Sequence, residues 1–90
     1  MAVLLEVFSG DPPCPGCVAI IDLAQRVAAK YPGELELTVL KGQEAMSKFE
    51  EYRLFCVPAA VVNGSIRIEG MCPDEGTLNN ALREGGLCLR

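Results

Sequence analysis

A chain of 90 residues, half of them apolar and 22% charged, can fill one hydrophobic core without reaching the length at which chains divide, so one domain, 1–90, is expected. A net charge of −4 leaves no electrostatic footprint for nucleic acid or an anionic membrane surface. No stretch approaches the roughly 20 apolar residues of a membrane span, the opening MAVLLEVF lacks a basic leader region, and five cysteines are an odd number for a secreted disulfide framework. A cytoplasmic setting follows, with thiols that react or bind rather than brace the fold.

Val3 to Phe8 is an apolar run broken only by Glu6 and closed by Ser9, Gly10, Asp11 and Pro12, which predicts a buried central strand. From Cys14 to Lys30 the positions Cys17, Ile21, Ala24 and Ala28 follow helical spacing, joined by Val18, Ile20, Leu23 and Val27. Asp22, Gln25, Arg26 and Ala29 form the opposite stripe. Pro15 suits the first turn of this helix, where its missing N–H would have no partner, and Tyr31-Pro32-Gly33 stops it. Residues 34–40 alternate Leu35, Leu37 and Val39 with Glu34, Glu36 and Thr38, the pattern of an outer strand.

A second helix is predicted over 43–53, with Ala45, Met46, Phe49 and Tyr52 as its core stripe. Residues 59–68 hold two β-prone runs around Asn63-Gly64, a pair that tolerates the positive φ angles of a tight type I′ hairpin. Pro73, Asp74 and Glu75 load a last helix start, Leu78, Ala81 and Leu82 form its inner stripe, and Gly85-Gly86 end it. The tail from Leu87 is left unassigned. The order βαβαββα predicts an α/β fold, a four-stranded mixed sheet flanked by helices.

Cys14 and Cys17 stand where the first strand turns into the first helix, the setting in which C-x-x-C reads as a thioredoxin-like redox site. Free N–H groups and the positive end of the helix dipole stabilise a thiolate at Cys14, and Cys17, one turn on, lies within bonding reach. The expected cycle has Cys14 attack a substrate disulfide and Cys17 displace the reduced product, leaving a Cys14–Cys17 disulfide to be re-reduced. Pro58 is a second feature: a proline entering a strand is tolerated at an end or edge, and a cis bond before it would mark function.

With these residues in view, the chain resembles the thioredoxin and glutaredoxin superfamily, specifically its small disulfide reductases, over about residues 3–84. CPGC matches the family's C-P-x-C, VPA at 57–59 its cis-proline segment, and VVNGSIRIEGMC its hairpin and following loop. The resemblance implies a thioredoxin-like fold, Cys14 as nucleophile, Cys17 as resolving thiol and Pro58 as the cis-proline facing them. It implies that Val57 offers its backbone to an extended substrate, as a strand adds to an edge. Gly70 and Asp74 match the glycine and acid beside a glutaredoxin's glutathione site. It also implies protein disulfides as substrates, a disulfide reductase as electron donor, and no cofactor beyond the cysteine pair; a monomer is the default expectation.

The departures are specific. Asp11 stands where glutaredoxins carry lysine and Cys56 where they carry threonine, and an acid at 11 repels a glutathione carboxylate, which argues against glutathione as partner. Pro13 replaces the tryptophan before the thioredoxin cysteine, and Phe8 the buried acid six positions before it. A different class of function uses the same residues. Cys56 and Cys72 are expected at the end of the sheet that carries Cys14 and Cys17, and four cysteines could hold zinc or an iron–sulfur cluster. Cys56 and Cys72 also read as accessory thiols or small apolar fillers, and Cys88 as an incidental tail thiol.

Overall fold

A computed structural model of the protein describes residues 3–10, 14–54, 58–70 and 74–87. The expectations placed on Asp11, Pro13, Cys56, Val57, Cys72, Pro73 and Cys88 lie outside the described residues.

The elements run β1 (Val3–Ser9), α1 (Pro15–Ala29), β2 (Leu35–Lys41), α2 (Gln43–Glu51), β3 (Ala59–Val62), β4 (Ile66–Glu69) and α3 (Glu75–Glu84). They form one mixed sheet of order β2-β1-β3-β4. This is the thioredoxin-like βαβαββα arrangement that the sequence predicts. β1 is central, parallel to β2 from Val3↔Leu35 to Ser9↔Lys41 and antiparallel to β3 from Leu5↔Val62 to Phe8↔Ala59. A strand with neighbours on both sides and helices on both faces must be apolar on both, and Leu5, Val7 and Phe8 are all wholly buried.

Alternation along β1 builds two cores. Val3, Leu5 and Val7 point to the face covered by Ile20, Leu23, Ala24 and Val27 of α1 and Leu78, Ala81 and Leu82 of α3. Phe8 points to the other face, with Ala45 of α2 and Leu54, Ala59 and Val61. There the Phe8 ring meets Phe49 and Tyr52 edge-on, with centroids 6.2 and 6.1 Å apart. Each fully buried leucine of these clusters contributes about 1.5–3 kcal/mol to the fold.

Three details depart from the sequence pattern. Val18 and Met46, assigned to core stripes, are 54% and 66% exposed. Val18 lies one position past the buried Cys17 and is turned away from the stripe of Cys17, Ile20, Ala24 and Val27 that enters the core. Met46 sits one position past Ala45, the residue of α2 that reaches the core. The hairpin does place Asn63 and Gly64 at φ 52° and 73°, closed by a Ser65 N–H donating to the Val62 carbonyl at 3.1 Å. Its ladder, however, pairs Val62 with Ile66, so Ser65 joins the loop and the connection is one residue longer than the two-residue turn expected. Leu87 of the unassigned tail is buried against the α1–α3 core, its N–H bound to the Leu82 carbonyl at 2.9 Å.

Candidate active site

The motif owes its shape to Pro15. A proline disfavours helical backbone in the residue before it, and Cys14 accordingly stands at φ −75°, ψ 167°, the extended geometry of an N-cap. Pro15 fills the first helical position. The Cys17 N–H donates to Cys14 Sγ at 3.2 Å, so sulfur takes the place that a serine or aspartate oxygen holds in an ordinary cap. Charge on that sulfur meets a backbone donor and the positive end of a 15-residue helix.

Cys17 lies one turn on and is wholly buried, whereas Cys14 is half-buried, and their sulfurs are 2.6 Å apart. From the end of β1 the Gly10 N–H donates to Cys17 Sγ at 3.5 Å, and the buried Ser9 hydroxyl donates to the Gly10 carbonyl at 2.8 Å. Burial pushes the Cys17 thiol up. Contacts with Cys14, the Gly10 N–H and the Ser9 hydroxyl outweigh that and hold it below its ordinary value. The thiol lowered in this way is the buried one, while the sequence reading set the thiolate at Cys14.

Pro58 is buried and covers the turn between the cysteines. A Cβ on Gly16 would stand 3.2 Å from Pro58 Cγ, 3.4 Å from its Cδ and 4.0 Å from Cys14 Sγ, so glycine here lets the proline ring approach the motif. The cis bond expected before Pro58 is shared with Val57 and falls outside the described residues. Gly70, at φ 84°, donates its N–H to the Pro58 carbonyl at 2.9 Å, which ties the end of β4 to the proline. Asp74 caps α3: its carboxylate accepts the Thr77 N–H at 2.7 Å, and this bond holds it below the usual carboxylate range. The structure thus joins Cys14, Cys17, Pro58 and Gly70, and engages Asp74 in a cap.

These contacts occur in a chain whose residues 3–83 match a family profile described as a thioredoxin domain. The chain belongs to the thioredoxin family. It is 30% identical over 82 residues to a thioredoxin of Methanocaldococcus jannaschii, covering 91% of this chain and 94% of that protein. A probable thioredoxin of Methanothermobacter thermautotrophicus is 29% identical over 84 residues, covering 93% of this chain and 96% of its own length. Among solved structures, chloroplastic thioredoxin z superposes with a TM-score of 0.73 at 18% identity, over 94% of this chain and 80% of that one. A malarial protein superposes with a TM-score of 0.77 at 12% identity, over 97% of this chain and all of the other. Membership makes the protein a small thiol-disulfide oxidoreductase at the level of the family.

Two groups near or beneath the site are absent from the sequence reading. Ser9 and Gly10 are there only the turn residues closing a strand; the signal available was a hydroxyl placed where an apolar run ends. Glu6 is 5% exposed and accepts a hydrogen bond from the Tyr52 hydroxyl at 2.6 Å. That bond pushes the Tyr52 phenol up to about 12. In register with Val61, Glu6 points to the α2 face, so it is a buried acid on the side of the sheet away from Cys17. Among the described residues no group of three or more histidines, cysteines or carboxylates could hold a metal, and no helix is long and apolar enough to cross a membrane.

Proposed function

We propose that the protein reduces protein disulfides through Cys14 and Cys17. One observation carries this reading: two free thiols in contact, one half-buried at a helix N-cap against Pro58 and the other wholly buried behind it. Exposure decides the order of events. A substrate disulfide can reach Cys14, so Cys14 Sγ attacks one substrate sulfur and the other leaves as a thiolate that takes up a proton. Cys17 Sγ then attacks Cys14 Sγ, the Cys14–substrate bond breaks, and the substrate departs reduced while the pair is oxidised. Before attack the two thiols share one proton across the sulfur contact, which leaves the charge on Cys14 Sγ. Once Cys14 is in the mixed disulfide, Cys17 gives up its own proton before it attacks, and the departing substrate thiolate takes one up.

In this reading Val57, Pro58 and Gly70 receive the substrate backbone, Asp74 borders them, and a disulfide reductase returns the electrons. The setting is the cytoplasm, where thiols are kept reduced, and the protein acts as a monomer. Asp11 disfavours glutathione as the substrate.

Cys14→Ser should abolish reduction and Cys17→Ser should accumulate mixed disulfides, read by mass after acid quenching. Equal residual activity in the two variants would overturn the assigned roles. Zinc or iron bound stoichiometrically after anaerobic purification, and lost on Cys56→Ser or Cys72→Ser, would replace the redox reading with metal binding.

A further inference from the structure

The resolving step asks for a charged sulfur in the most buried part of the site. Cys17 is wholly buried, and a thiolate there needs donors that water cannot supply. The chain provides two, both from the end of β1. Gly10 already aims its N–H at Cys17 Sγ at 3.5 Å. Ser9, itself only 2% exposed, has a single hydroxyl proton, which it now gives to the Gly10 carbonyl at 2.8 Å. Ser9 has the same parity along β1 as Leu5 and Val7, so it faces α1 and the cysteine rather than α2.

Building on the proposed redox reading, we propose that Ser9 and Gly10 form a donor corner for the Cys17 thiolate, with the Ser9 hydroxyl turning from the Gly10 carbonyl to Cys17 Sγ as charge develops there. The step is Cys17–S⁻ attacking the Cys14 sulfur of the mixed disulfide. The Cys14–Cys17 bond forms, the Cys14–substrate bond breaks, and the electron pair leaves on the substrate sulfur, which is then protonated. The Ser9 hydroxyl keeps its proton throughout. Cys14 is the titratable group hydrogen-bonded to Cys17 among the described residues, and the carboxylate of β1, Glu6, is turned to the opposite face with Tyr52.

A donor to a thiolate has a kinetic signature that a packing role lacks. Removing it raises the thiol's pKa, so less thiolate is present at neutral pH, while the thiolate that remains is more nucleophilic. A charged hydrogen bond corresponds to about one to two pKa units, and the two opposing effects leave resolution about threefold to tenfold slower near pH 7. Above the raised pKa the deficit disappears.

The test mixes the reduced full chain, anaerobically, with a disulfide-linked dimer of a short synthetic peptide, and quenches in acid. Mass spectrometry of the active-site fragment then separates the Cys14–peptide adduct from the Cys14–Cys17 disulfide at pH values from 6 to 10. For Ser9→Ala, formation of the adduct should be unchanged and its resolution slowed near neutrality, with the midpoint of the pH profile moved to alkaline values. Ser9→Thr should restore resolution and the isosteric Ser9→Val should not, a comparison at constant volume that stands even where Ser9→Ala folds poorly. Identical resolution profiles for the Ser9→Thr and Ser9→Val variants, beside a wild type that resolves normally, would overturn the donor corner alone. A wild-type protein that forms neither a Cys14–peptide adduct nor a Cys14–Cys17 disulfide would overturn the redox reading beneath it.

Discussion

The two ends of β1 are held in opposite ways. At its start, Asn63 clamps Leu4 with two hydrogen bonds, accepting the Leu4 N–H on its side chain at 2.9 Å and donating its own N–H to the Leu4 carbonyl at 2.8 Å. Its Nδ2 donates to the Gly85 carbonyl at 2.7 Å, so one side chain fastens β1, the hairpin and the end of α3. At the other end the partners are sulfurs: Gly10 N–H to Cys17 at 3.5 Å and Cys17 N–H to Cys14 at 3.2 Å. Short bonds between groups that never change chemically give rigidity. Longer bonds to sulfur tolerate atoms that must change partners in a reaction. Substitutions at one end should therefore remove stability and spare chemistry, and at the other the reverse.

The largest effect expected is at the sulfur end. Cys14→Ser should eliminate disulfide reduction yet leave the thermal midpoint unchanged or raised, because serine is the better N-cap and its oxygen can accept the Cys17 N–H; the gain is at most about 1 kcal/mol. A large fall in stability would break the division between the two ends. At the clamp, Asn63→Ala removes two side-chain hydrogen bonds and sets alanine at a φ of 52°. About 1 kcal/mol per bond and 1–2 kcal/mol for left-handed backbone give a loss of about 3–4 kcal/mol, read as the urea midpoint. Asn63→Gly should recover the backbone part only, and both variants should resolve mixed disulfides at the wild-type rate. Gly85→Ala comes next. Its Cβ would stand 2.5 Å from Val62 Cγ1, and Val62 is a wholly buried, branched side chain with no room to yield. Overpacking of this kind costs about 1–3 kcal/mol.

The clamp and the sulfur pair were not equally legible in the sequence. Periodicity and turn chemistry located every element, and C-x-x-C ahead of a helix with Val-Pro just before a later strand pointed to the candidate site, because each of these is a local signal. Asn63 was readable as a turn residue; that its side chain would also bind Leu4 and Gly85 depends on contacts 59 and 22 positions away. Ser9 has the same history. Glu6 read as an interruption of an apolar strand, and only the Tyr52 hydroxyl, brought over it by α2, explains how a carboxylate is accommodated there. Val18 and Met46 each stand one position past a buried residue, Cys17 and Ala45, and are turned off the face that enters the core; an apolar side chain at such a flanking position does not reveal in the sequence which edge of the stripe is covered.

Tyr52 sharpens the comparison midway along β1, where a polar pair crosses between sheet and helix. The Glu6 carboxylate disfavours the phenolate, so the folded phenol titrates at about 12, above the ordinary value near 10. A group whose pKa is raised by folding contributes stability below the unfolded value, here about pH 10, and that contribution is lost as pH rises toward 12. Tyr52→Phe should remove this alkaline component of the unfolding curve. At pH 7 it should cost about 1–2 kcal/mol, since Glu6 is left buried without its donor. An unchanged alkaline profile would show that the pair does not persist in solution.

The smallest effect on stability is expected at Gly16, and there two terms oppose each other. Alanine is the better residue inside a helix by up to about 1 kcal/mol. Against that, its Cβ would press on Pro58 Cγ at 3.2 Å, tighter than ordinary contact. The net change in unfolding free energy should stay within about 0.5 kcal/mol of zero, because displacing the ring offsets the helical gain. The displacement is what matters for function. Pro58 packs directly over Gly16, so moving it by a few tenths of an ångström alters the surface beside Cys14 Sγ that the proposed function assigns to a substrate disulfide. Gly16→Ala should therefore slow adduct formation at Cys14 while resolution by Cys17, proposed above to draw on Ser9 and Gly10, keeps its rate. Slowing of both steps together would mean that the two sides of the cysteine pair are mechanically coupled, and that the division between them ends short of Pro58.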